Sequence, residues 1–264
     1  MLLESVEVAL KESLDGFGDD HRLKEACVYA LLSGGKRLRP LLVLQIADAV
    51  GKRRVPMDAA VAVEFFHTAS LIADDLPCMD NAQWRRGELA LHHAYGETIA
   101  LLASYGLITA AFEKIHEGAK GFSSDICALA LKEAARSAGL KGATTGQFYD
   151  LFPPKTSKEQ LERLHHLKTG TLFETAFIFG HLFGGGDPTF VEVVRECAKH
   201  FGFAFQIADD LSDFDEDGAE KNMARFLGKE RAEELLQQEL LAFEEAAEKL
   251  PYRLDALRLW KRDS

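Results

Sequence analysis

Apolar residues recur along the chain mainly at helical spacing. Leu2, Val6, Ala9 and Leu10 lie at i, i+4, i+7 and i+8, which places them on one face of an amphipathic helix. The same spacing predicts helices over residues 22–32, 38–50, 57–75, 95–116, 123–138, 157–183, 188–212 and 229–249. Alternating β-branched runs of strand length are nearly absent. We therefore predict an all-α fold.

The breaks between the predicted helices carry helix-start signals. Ser157, with Gln160 three residues later, has the pattern of a capping box. Asp187 followed by Pro188 is typical of an N-cap and a first helical position. Neither loop is long, and the chain shows no internal repeat. We therefore predict one domain over residues 1–264.

Two acidic clusters follow long apolar helical stretches, and their aspartates are Asp74, Asp75, Asp80, Asp209, Asp210 and Asp213. Asp209 and Asp213 are four residues apart, so both lie on one helix face. Pro77 should make the helix bulge, which would bring Asp80 back beside Asp74. Carboxylates in such pairs can chelate hard cations. Two facing carboxylate walls over an apolar shaft would hold metal ions and a polyanionic head group.

Other interpretations of the acidic clusters are a solvated surface or a calcium loop. Residues 213–218 match the first half of an EF-hand, but that loop needs a glutamate at its twelfth position, where this chain has Ala224. The sequence therefore excludes calcium binding of this kind. We predict that Asp215, Glu216 and Asp217 form a solvated turn.

Basic residues that could neutralise a polyanion lie close to these clusters in the sequence. GGKRLRP contains Lys36, Arg37 and Arg39, and WRRG contains Arg85 and Arg86. An arginine fork matches phosphate oxygens with two hydrogen bonds, whereas lysine acts as a point charge. For each of them taken alone, an exposed surface position is the alternative.

Composition narrows the class of protein. The 264 residues are 47% hydrophobic and 28% charged, as in soluble globular proteins, and the net charge of −11 disfavours a nucleic-acid partner. Four scattered cysteines without a CxxC pair favour a reducing compartment. The N-terminus lacks the basic region of a secretory signal, and the uncharged run over residues 98–112 is too short to span a bilayer. We expect this run to be a buried core helix and the protein to be cytoplasmic, without a membrane span.

Five motifs occur in a characteristic order over roughly residues 30–230: GGKRLRP, DDLPCMDN…RRG, GQFYDL, HHLKTG and FQIADDLSD. In these motifs the chain resembles the trans-polyprenyl diphosphate synthase family, which includes the short-chain farnesyl and geranylgeranyl diphosphate synthases. The resemblance implies an isoprenoid synthase-type helical bundle around a central cavity, usually in a homodimer. It also implies Mg²⁺-dependent condensation of isopentenyl diphosphate with an allylic diphosphate.

The resemblance further implies a role for each motif residue. The main Mg²⁺ ligands would be Asp74, Asp80 and Asp209, and those in or beside the metal shell Asp75, Asp210 and Asp213. Isopentenyl diphosphate would be held by Lys36, Arg39, His67 and Arg86. Arg85 would join the metals on the allylic diphosphate, and the carbocation would be stabilised by Thr169, Gln206 and the backbone near Lys168. For His67, a satisfied core histidine is the alternative.

The chain departs from the family pattern in several places. Ala82 and Gln83 replace acids, Glu88 replaces a lysine and Tyr105 replaces an aspartate. The lysine-bearing segment after FQIADDLSD is shortened, which leaves Lys221 there. These departures keep open a second interpretation, a non-catalytic regulatory subunit of a heteromeric synthase, although all six aspartates remain. A terpene cyclase is less compatible, because GGKRLRP serves a second diphosphate.

Product length depends in this family on the residue five positions before the first aspartate. Here that residue is Ala69, with Ser70 next to it, and small side chains leave room for a long product. The spacing of the first aspartate motif is instead associated with shorter products. Candidates for the floor of the shaft are Phe65, Phe66 and Tyr105. We expect geranylgeranyl diphosphate as the product, with farnesyl diphosphate as the second candidate.

Overall fold

Helices joined by short connections make up the protein, and the computed structural model describes residues 2–52, 54–153, 157–214 and 221–255. Its α-helices are α1 (Leu2–Ser13), α2 (Arg22–Leu32), α3 (Leu38–Val50), α4 (Met57–Asp74), α5 (Leu91–Tyr95), α6 (Glu97–Gly118), α7 (Ser124–Ala138), α8 (Ala143–Leu151), α9 (Lys158–His165), α10 (Thr171–Phe183), α11 (Val191–Ser212), α12 (Met223–Leu227) and α13 (Lys229–Ala247). One hairpin pairs β1 (Trp84–Arg85) with β2 (Glu88–Leu89). The turn predicted at Asp215, Glu216 and Asp217 lies outside the described residues.

The all-α prediction is confirmed, and several predicted helices agree closely with the structure. Residues 22–32 and 38–50 are α2 and α3, and the helix predicted over 57–75 ends one residue earlier, as α4. The helix predicted over 157–183 is interrupted, because a π-helical turn, His166–Gly170, separates α9 from α10. The hairpin and the helices α5, α8 and α12 were not predicted, since such short stretches show little periodicity.

The predicted helix-start signals are present in the structure. The hydroxyl of Ser157 accepts a hydrogen bond from the N–H of Gln160 (3.3 Å). The carboxylate of Asp187 accepts one from the N–H of Thr189 (2.9 Å). Pro188 begins a short 3₁₀ turn that leads into α11. Side-chain acceptors at these positions satisfy N–H groups that have no partner within the helix.

Helix α10 lies at the centre of the bundle. Every one of its residues is buried, and it contacts α3, α4, α7 and α11. A helix with apolar residues on every side is expected in such a position, and its buried Glu174 is paired with Arg136 and Arg195. The rings of Phe173, Phe177, Phe201 and Phe243 pack together, with centroids 5.3 to 6.3 Å apart. This aromatic core joins α10, α11 and α13 behind the candidate site.

Helix α6 packs only one of its faces into the bundle. Leu107 is buried against α4, whereas Leu101, Leu102 and Tyr105 are exposed. By length and composition alone, α6 could cross a membrane, and no other helix in the described part of the chain could. The core helices of soluble proteins share both properties. Only 33% of its most apolar stretch is buried. The expectation of a buried core helix over residues 98–112 is therefore correct for one face only.

Candidate active site

The first acidic cluster begins where α4 ends, at Asp74. The N–H of Asp80 donates to the backbone carbonyl of Asp74 (2.9 Å), and the N–H of Asn81 donates to that of Leu76 (3.1 Å). The chain therefore turns back around Pro77 and returns Asp80 to the side of Asp74. We predicted this return through a bulge in a continuing helix. The structure ends the helix instead, because proline cannot continue it without losing a hydrogen bond.

The carboxyl group of Asp74 is half-buried at the edge of a central cavity. Burial raises its pKa to about 6, and the negative charges of Asp80 and Asp75 act in the same direction, whereas Lys168 opposes them. Ionised carboxylates in this position repel one another. A cation bound beside Asp74 and Asp80 would therefore be strongly favoured.

Asp75 is buried and forms an ion pair with Arg85. The Nε of Arg85 donates to both carboxylate oxygens (3.0 and 3.1 Å), and Nη2 also donates to Oδ1. Arg85 is presented by the hairpin, whose two turn residues, Arg86 and Gly87, have φ angles of 55° and 83°. Two-residue hairpins require such positive angles. The turn thus places consecutive arginines at two different parts of the site.

The second acidic cluster lies at the C-terminal end of α11. Asp209 and Asp213 are exposed, and the N–H of Asp213 donates to the carbonyl of Asp209 (2.9 Å). Asp210 is buried, and its carboxylate accepts hydrogen bonds from the side-chain amide of Gln206 (2.9 Å) and the N–H of Met223 (2.7 Å). Asp210 therefore anchors the start of α12 to α11.

Lys168 and Thr169 lie on the π-helical turn that interrupts the predicted long helix. Turns of this kind widen the helix and are frequent at functional sites. The hydroxyl of Thr169 donates to the side-chain oxygen of Gln206 (3.0 Å), and the ammonium of Lys168 donates to Asp150 (2.6 Å). Lys168, Thr169 and Gln206, which the resemblance implied would stabilise a carbocation, are therefore connected in the structure.

Three of the four residues expected to hold isopentenyl diphosphate lie together. Nη1 of Arg39 donates to Nε2 of His67 (3.4 Å), and the guanidinium of Arg39 lies over the ring of Phe173, 4.5 Å from its centre. Arg86 donates to the buried carboxylate of Glu64 (3.4 Å). Burial, reinforced by the charges of Arg39 and Arg86, lowers the pKa of His67 well below its usual value. His67 is therefore neutral and accepts from Arg39.

The other two cations of GGKRLRP differ in their surroundings. Lys36 is exposed to solvent. Arg37 is buried and bonds Glu64 (Nη1, 2.6 Å), Glu7 (Nε, 2.6 Å) and the carbonyl of Leu31 (Nη2, 2.6 Å). These contacts tie the loop before α3 to α1 and α4. Arg37 is therefore a structural residue, and Lys36 is the cation of this loop that a ligand can reach.

Asp74 and Lys168 share an apolar cavity of about 340 Å³, within the roughly 300–1,000 Å³ range of small-molecule sites. Ala69, Ser70 and Phe66 of α4 form part of its wall. At a helical rise of ~1.5 Å per residue, Ala69 lies roughly 7 Å and Phe66 roughly 12 Å along the axis from Asp74. The cavity is therefore a shaft that has charged groups at one end.

Phe66 marks the far end of this shaft. Its ring meets that of Phe112 edge-on, with centroids 5.3 Å apart. Phe65 lies on the other side, packs against Phe17 and, with Phe112, lines a second cavity of about 710 Å³. The Phe66–Phe112 pair thus lies between the two cavities. Tyr105 is 57% exposed and does not line the shaft, so its prediction as a floor residue is wrong.

The exposed and half-buried carboxylates form two pairs. In the described residues, no three His, Cys, Asp or Glu side chains gather into one metal-binding group. Each pair, Asp74 with Asp80 and Asp209 with Asp213, is closed by a backbone hydrogen bond of 2.9 Å. Mg²⁺ is usually held by one or two carboxylates together with water and substrate phosphates. The donor set therefore fits Mg²⁺ that is shared with a bound diphosphate.

Several residues at the site were not among the predicted functional ones. Asp150 of α8 bonds Lys168, and Gly146 lets α8 approach closely, since a Cβ there would lie 2.3 Å from the backbone nitrogen of Lys168. Both belong to GQFYDL, which was a usable signal. Glu64 also carried a signal, because it is an acidic residue within an apolar helical stretch, three residues before His67. Phe112 carried no signal, because its contact with the shaft joins residues distant in sequence.

Comparisons with known proteins agree with this architecture. The sequence profile of the polyprenyl synthetase family matches residues 20–233. The chain is 39% identical to the heterodimeric geranylgeranyl pyrophosphate synthase large subunit 2 of Arabidopsis thaliana, over 93% of this chain and 66% of that protein. It is 36% identical to the farnesyl diphosphate synthase of Geobacillus stearothermophilus, over 99% of this chain and 89% of that protein.

A solved structure supports the same relationship. The apo structure of an FPP/GFPP synthase from Zymomonas mobilis superposes with a TM-score of 0.89 at 30% identity, over 99% of this chain and 97% of that one. The isoprenoid synthase-type bundle is thereby confirmed. The chain spans 55% to 66% of the length of five plant relatives that it matches. From the family profile, the identities and the shared fold together, we conclude that the chain belongs to the polyprenyl synthetase family, among the short-chain trans-prenyl diphosphate synthases.

Proposed function

We propose that this chain is a short-chain trans-prenyltransferase that condenses isopentenyl diphosphate with dimethylallyl, geranyl or farnesyl diphosphate. The observation that carries the proposal is a single cavity whose wall is apolar and whose edge bears Asp74 and Lys168. A prenyl tail with a diphosphate head has the matching distribution of apolar and charged groups. The relatives named as geranylgeranyl and farnesyl diphosphate synthases support the same activity.

In this proposal, the second diphosphate binds at the cluster of Arg39, His67 and Arg86, with Lys36 reaching it from the exposed loop. Arg39 stays charged at neutral pH, because burial and the neighbouring Arg86 lower its pKa only to about 10. Neutral His67 donates or accepts a hydrogen bond without adding charge. Isopentenyl diphosphate would thereby lie against α3 and α4, separate from the two aspartate pairs.

The aspartates Asp74, Asp80, Asp209 and Asp213 would hold Mg²⁺, which supplies positive charge to the leaving diphosphate when bound. Asp75 and Asp210 would act beside the metal shell, since each already has protein partners. Arg85 and Lys168 would bind the allylic diphosphate as it departs. The linked oxygens of Thr169 and Gln206 would face the carbocation as dipoles that do not trap it.

Product length would be set by the shaft along α4. Ala69 and Ser70 leave its upper part open, and the Phe66–Phe112 pair would stop the growing chain about 12 Å below Asp74. Because a floor at this depth favours the shorter of the two expected products, farnesyl diphosphate is the proposed product and geranylgeranyl diphosphate the second candidate.

We further propose a homodimer formed through α6. The apolar side chains of Leu101, Leu102 and Tyr105 form an exposed stripe on this helix. Contiguous exposed apolar patches on soluble proteins often mark contact surfaces. The elution volume and light scattering of the purified protein would test this assembly.

A non-catalytic regulatory subunit is the second candidate function. It is favoured by one observation: one relative is named as a subunit of a heterodimeric synthase. The retention of all six aspartates favours the enzyme instead, because a subunit without catalysis has no need of metal ligands.

The test is to incubate the purified protein with Mg²⁺, isopentenyl diphosphate and, separately, dimethylallyl, geranyl and farnesyl diphosphates. Products would be identified by mass. We expect a product from at least one primer, and its longest abundant chain would give the length. If folded protein forms no product from any primer, the synthase proposal fails and the subunit proposal is favoured.

A further inference from the structure

Hydrogen bonds join the π-helical turn to the second acidic cluster on one side of the site. The hydroxyl of Thr169 donates to the side-chain oxygen of Gln206 (3.0 Å), and the side-chain amide of Gln206 donates to Oδ1 of Asp210 (2.9 Å). An ionised carboxylate only accepts hydrogen bonds, so the nitrogen of the Gln206 amide faces Asp210 and its oxygen faces Thr169. Asp210 therefore sets the direction in which the oxygen of Gln206 points.

Asp210 is held in turn by the chain that follows the cluster. Its other oxygen, Oδ2, accepts from the N–H of Met223 (2.7 Å), and its backbone carbonyl accepts from the side-chain amide of Asn222 (2.9 Å). Asn222 is fully buried and also caps α12, because its side-chain oxygen accepts from the N–H of Arg225 (2.8 Å). Residues 222–223 therefore fix both the backbone and the side chain of Asp210.

His165 connects this part of the chain back to the π-helical turn. Its Nε2 is 3.0 Å from the backbone carbonyl of Lys221 and 3.9 Å from Oδ2 of Asp210. A carbonyl oxygen only accepts, so Nε2 of His165 carries a hydrogen and donates it to Lys221. His165 is 6% exposed and is the last residue of α9, directly before the π-helical turn. The hydrogen bonds and the short chain segments between them therefore form a closed ring that starts and ends at this turn.

This ring restrains the two side-chain oxygens that would face the carbocation. Thr169 lies on the π-helical turn and Gln206 on α11, so their arrangement depends on the spacing between these two elements. The Thr169–Gln206 bond fixes the spacing at one point, and the bond from His165 to the carbonyl of Lys221 fixes it at a second. In a network of buried hydrogen bonds, each bond strengthens the others. The closed ring therefore holds the Gln206 oxygen in one direction.

We propose that His165 is a positioning residue for the proposed reaction. By holding the carbonyl of Lys221, it keeps Asp210 in place, and Asp210 orients the Gln206 amide. The inference rests on the proposed function and adds to it a residue that does not touch the substrate, because His165 is buried and does not line the shaft. Its effect on the reaction passes through the ring.

The first test compares His165→Leu and His165→Gln with His181→Leu. Glutamine keeps an N–H close to the position of Nε2, whereas leucine removes the donor. His181 is the matched control, because it is also buried and its Nε2 also lies close to a backbone carbonyl, that of Asp187 (2.8 Å). It lies outside the ring, ~15 Å along α10 from the π-helical turn. We expect both leucine variants to lower the midpoint of urea unfolding, since each loses a hydrogen bond of a buried side chain.

Steady-state kinetics, measured well below the unfolding midpoint of each variant, separate positioning from stability. His165→Leu should lower kcat by about 10- to 100-fold, as the loss of an outer group that orients active-site residues does. It should leave the KM for isopentenyl diphosphate unchanged, because the cluster proposed to bind that substrate is not part of the ring. His165→Gln should restore most of the turnover, and His181→Leu should retain it. Equal losses of turnover in the two leucine variants would overturn the role of His165.

Amide hydrogen exchange gives a readout that needs no turnover. The N–H of Met223, which donates to Asp210, should exchange faster in His165→Leu than in the unmodified protein. It should stay protected in His165→Gln and in His181→Leu. Unchanged protection of Met223 in His165→Leu would show that His165 does not hold the ring. If the unmodified protein forms no product from any primer, the proposed function fails, whereas the exchange at Met223 still decides whether His165 holds this segment.

A double-mutant cycle tests the path from His165 to the reaction. Gln206→Leu removes the group on which His165 is proposed to act. If His165 acts through Gln206, adding His165→Leu to Gln206→Leu should lower kcat much less than His165→Leu does in the unmodified protein. Two losses that multiply would contradict this path. A purely structural role of His165 would change the unfolding midpoint without producing this coupling in kcat.

Discussion

The two acidic clusters each bring two aspartates together through a backbone hydrogen bond, but around Pro77 this bond closes a loop after α4, whereas in the second cluster it is the last helical bond of α11. Each ends a long helix, and in each the N–H of the last aspartate donates to the carbonyl of the first over 2.9 Å. In each, the middle aspartate is buried. Asp75, however, is held by the guanidinium of Arg85, whereas Asp210 is held by the neutral donors of Gln206 and Met223.

This difference shows that the buried aspartates of two similar motifs can hold different parts of the molecule in place. Asp75 holds Arg85, whose side chain is 38% exposed and available to a ligand. The ion pair therefore positions a residue of the ligand site. Asp210 holds the start of α12 against α11, so its hydrogen bonds stabilise the fold. The helices also differ, since α4 lines the shaft and α11 contributes none of its lining residues.

The largest expected effect is on turnover, because both clusters contain proposed metal ligands. Asp74→Ala and Asp209→Ala should each lower kcat by about 10³-fold, comparable to the loss of one preorganised group that stabilises developing charge. Product formation is measured at saturating substrates and Mg²⁺. Asp19→Ala, in an exposed loop, serves as the control. Turnover within threefold of the unmodified protein in either variant would remove that aspartate from the metal site.

The second prediction uses the difference between α4 and α11. Ala69→Phe should fill the shaft and shorten the main product by at least one isoprene unit, because Ala69 lines the wall. Ala69→Ser, which stays small, should leave the length unchanged. Phe203→Leu on α11 should also leave it unchanged, because Phe203 packs away from the shaft. Mass analysis of the products decides, and an unaltered distribution in Ala69→Phe would refute the shaft assignment.

The third prediction concerns the support of Asp210. Asp210→Ala should lower the free energy of unfolding by about 2 kcal/mol, because it leaves the buried N–H of Met223 and the half-buried amide of Gln206 without their acceptor. Urea unfolding without Mg²⁺ measures this effect separately from any metal. A change below the error of extrapolation would mean that water replaces the carboxylate.

The smallest expected effect on stability belongs to Asp75. Asp75→Ala should lower the free energy of unfolding by no more than about 1 kcal/mol, because water can solvate the partly exposed Arg85 once its partner is removed. The same variant should raise the KM for the allylic diphosphate, since Arg85 is no longer held in place. A loss of stability as large as that in Asp210→Ala would show that Asp75 also stabilises the fold, and the two clusters would then not differ in this respect.

Apolar spacing and motif order were enough to predict the long helices and the chemistry of the two clusters. Apolar spacing is a local property, so α2 and α3 were predicted residue for residue, and the motif aspartates, arginines and lysines were recognisable from their order. The hairpin and α8 were not predicted, because they contain too few residues to show a period. The π-helical turn at Lys168, which α8 approaches closely at Gly146, was not predicted because the apolar spacing of residues 157–183 continues through it.

The neighbours of each charged side chain could be seen only in the folded structure. Nothing local distinguishes Arg37, which is buried among Glu7, Glu64 and a carbonyl, from exposed Lys36 beside it. The same holds for Asp150, which joins two lysines that lie 53 residues apart in the sequence. Burial and charge pairing are set by the packing of distant segments, and a one-dimensional pattern contains no distance between them.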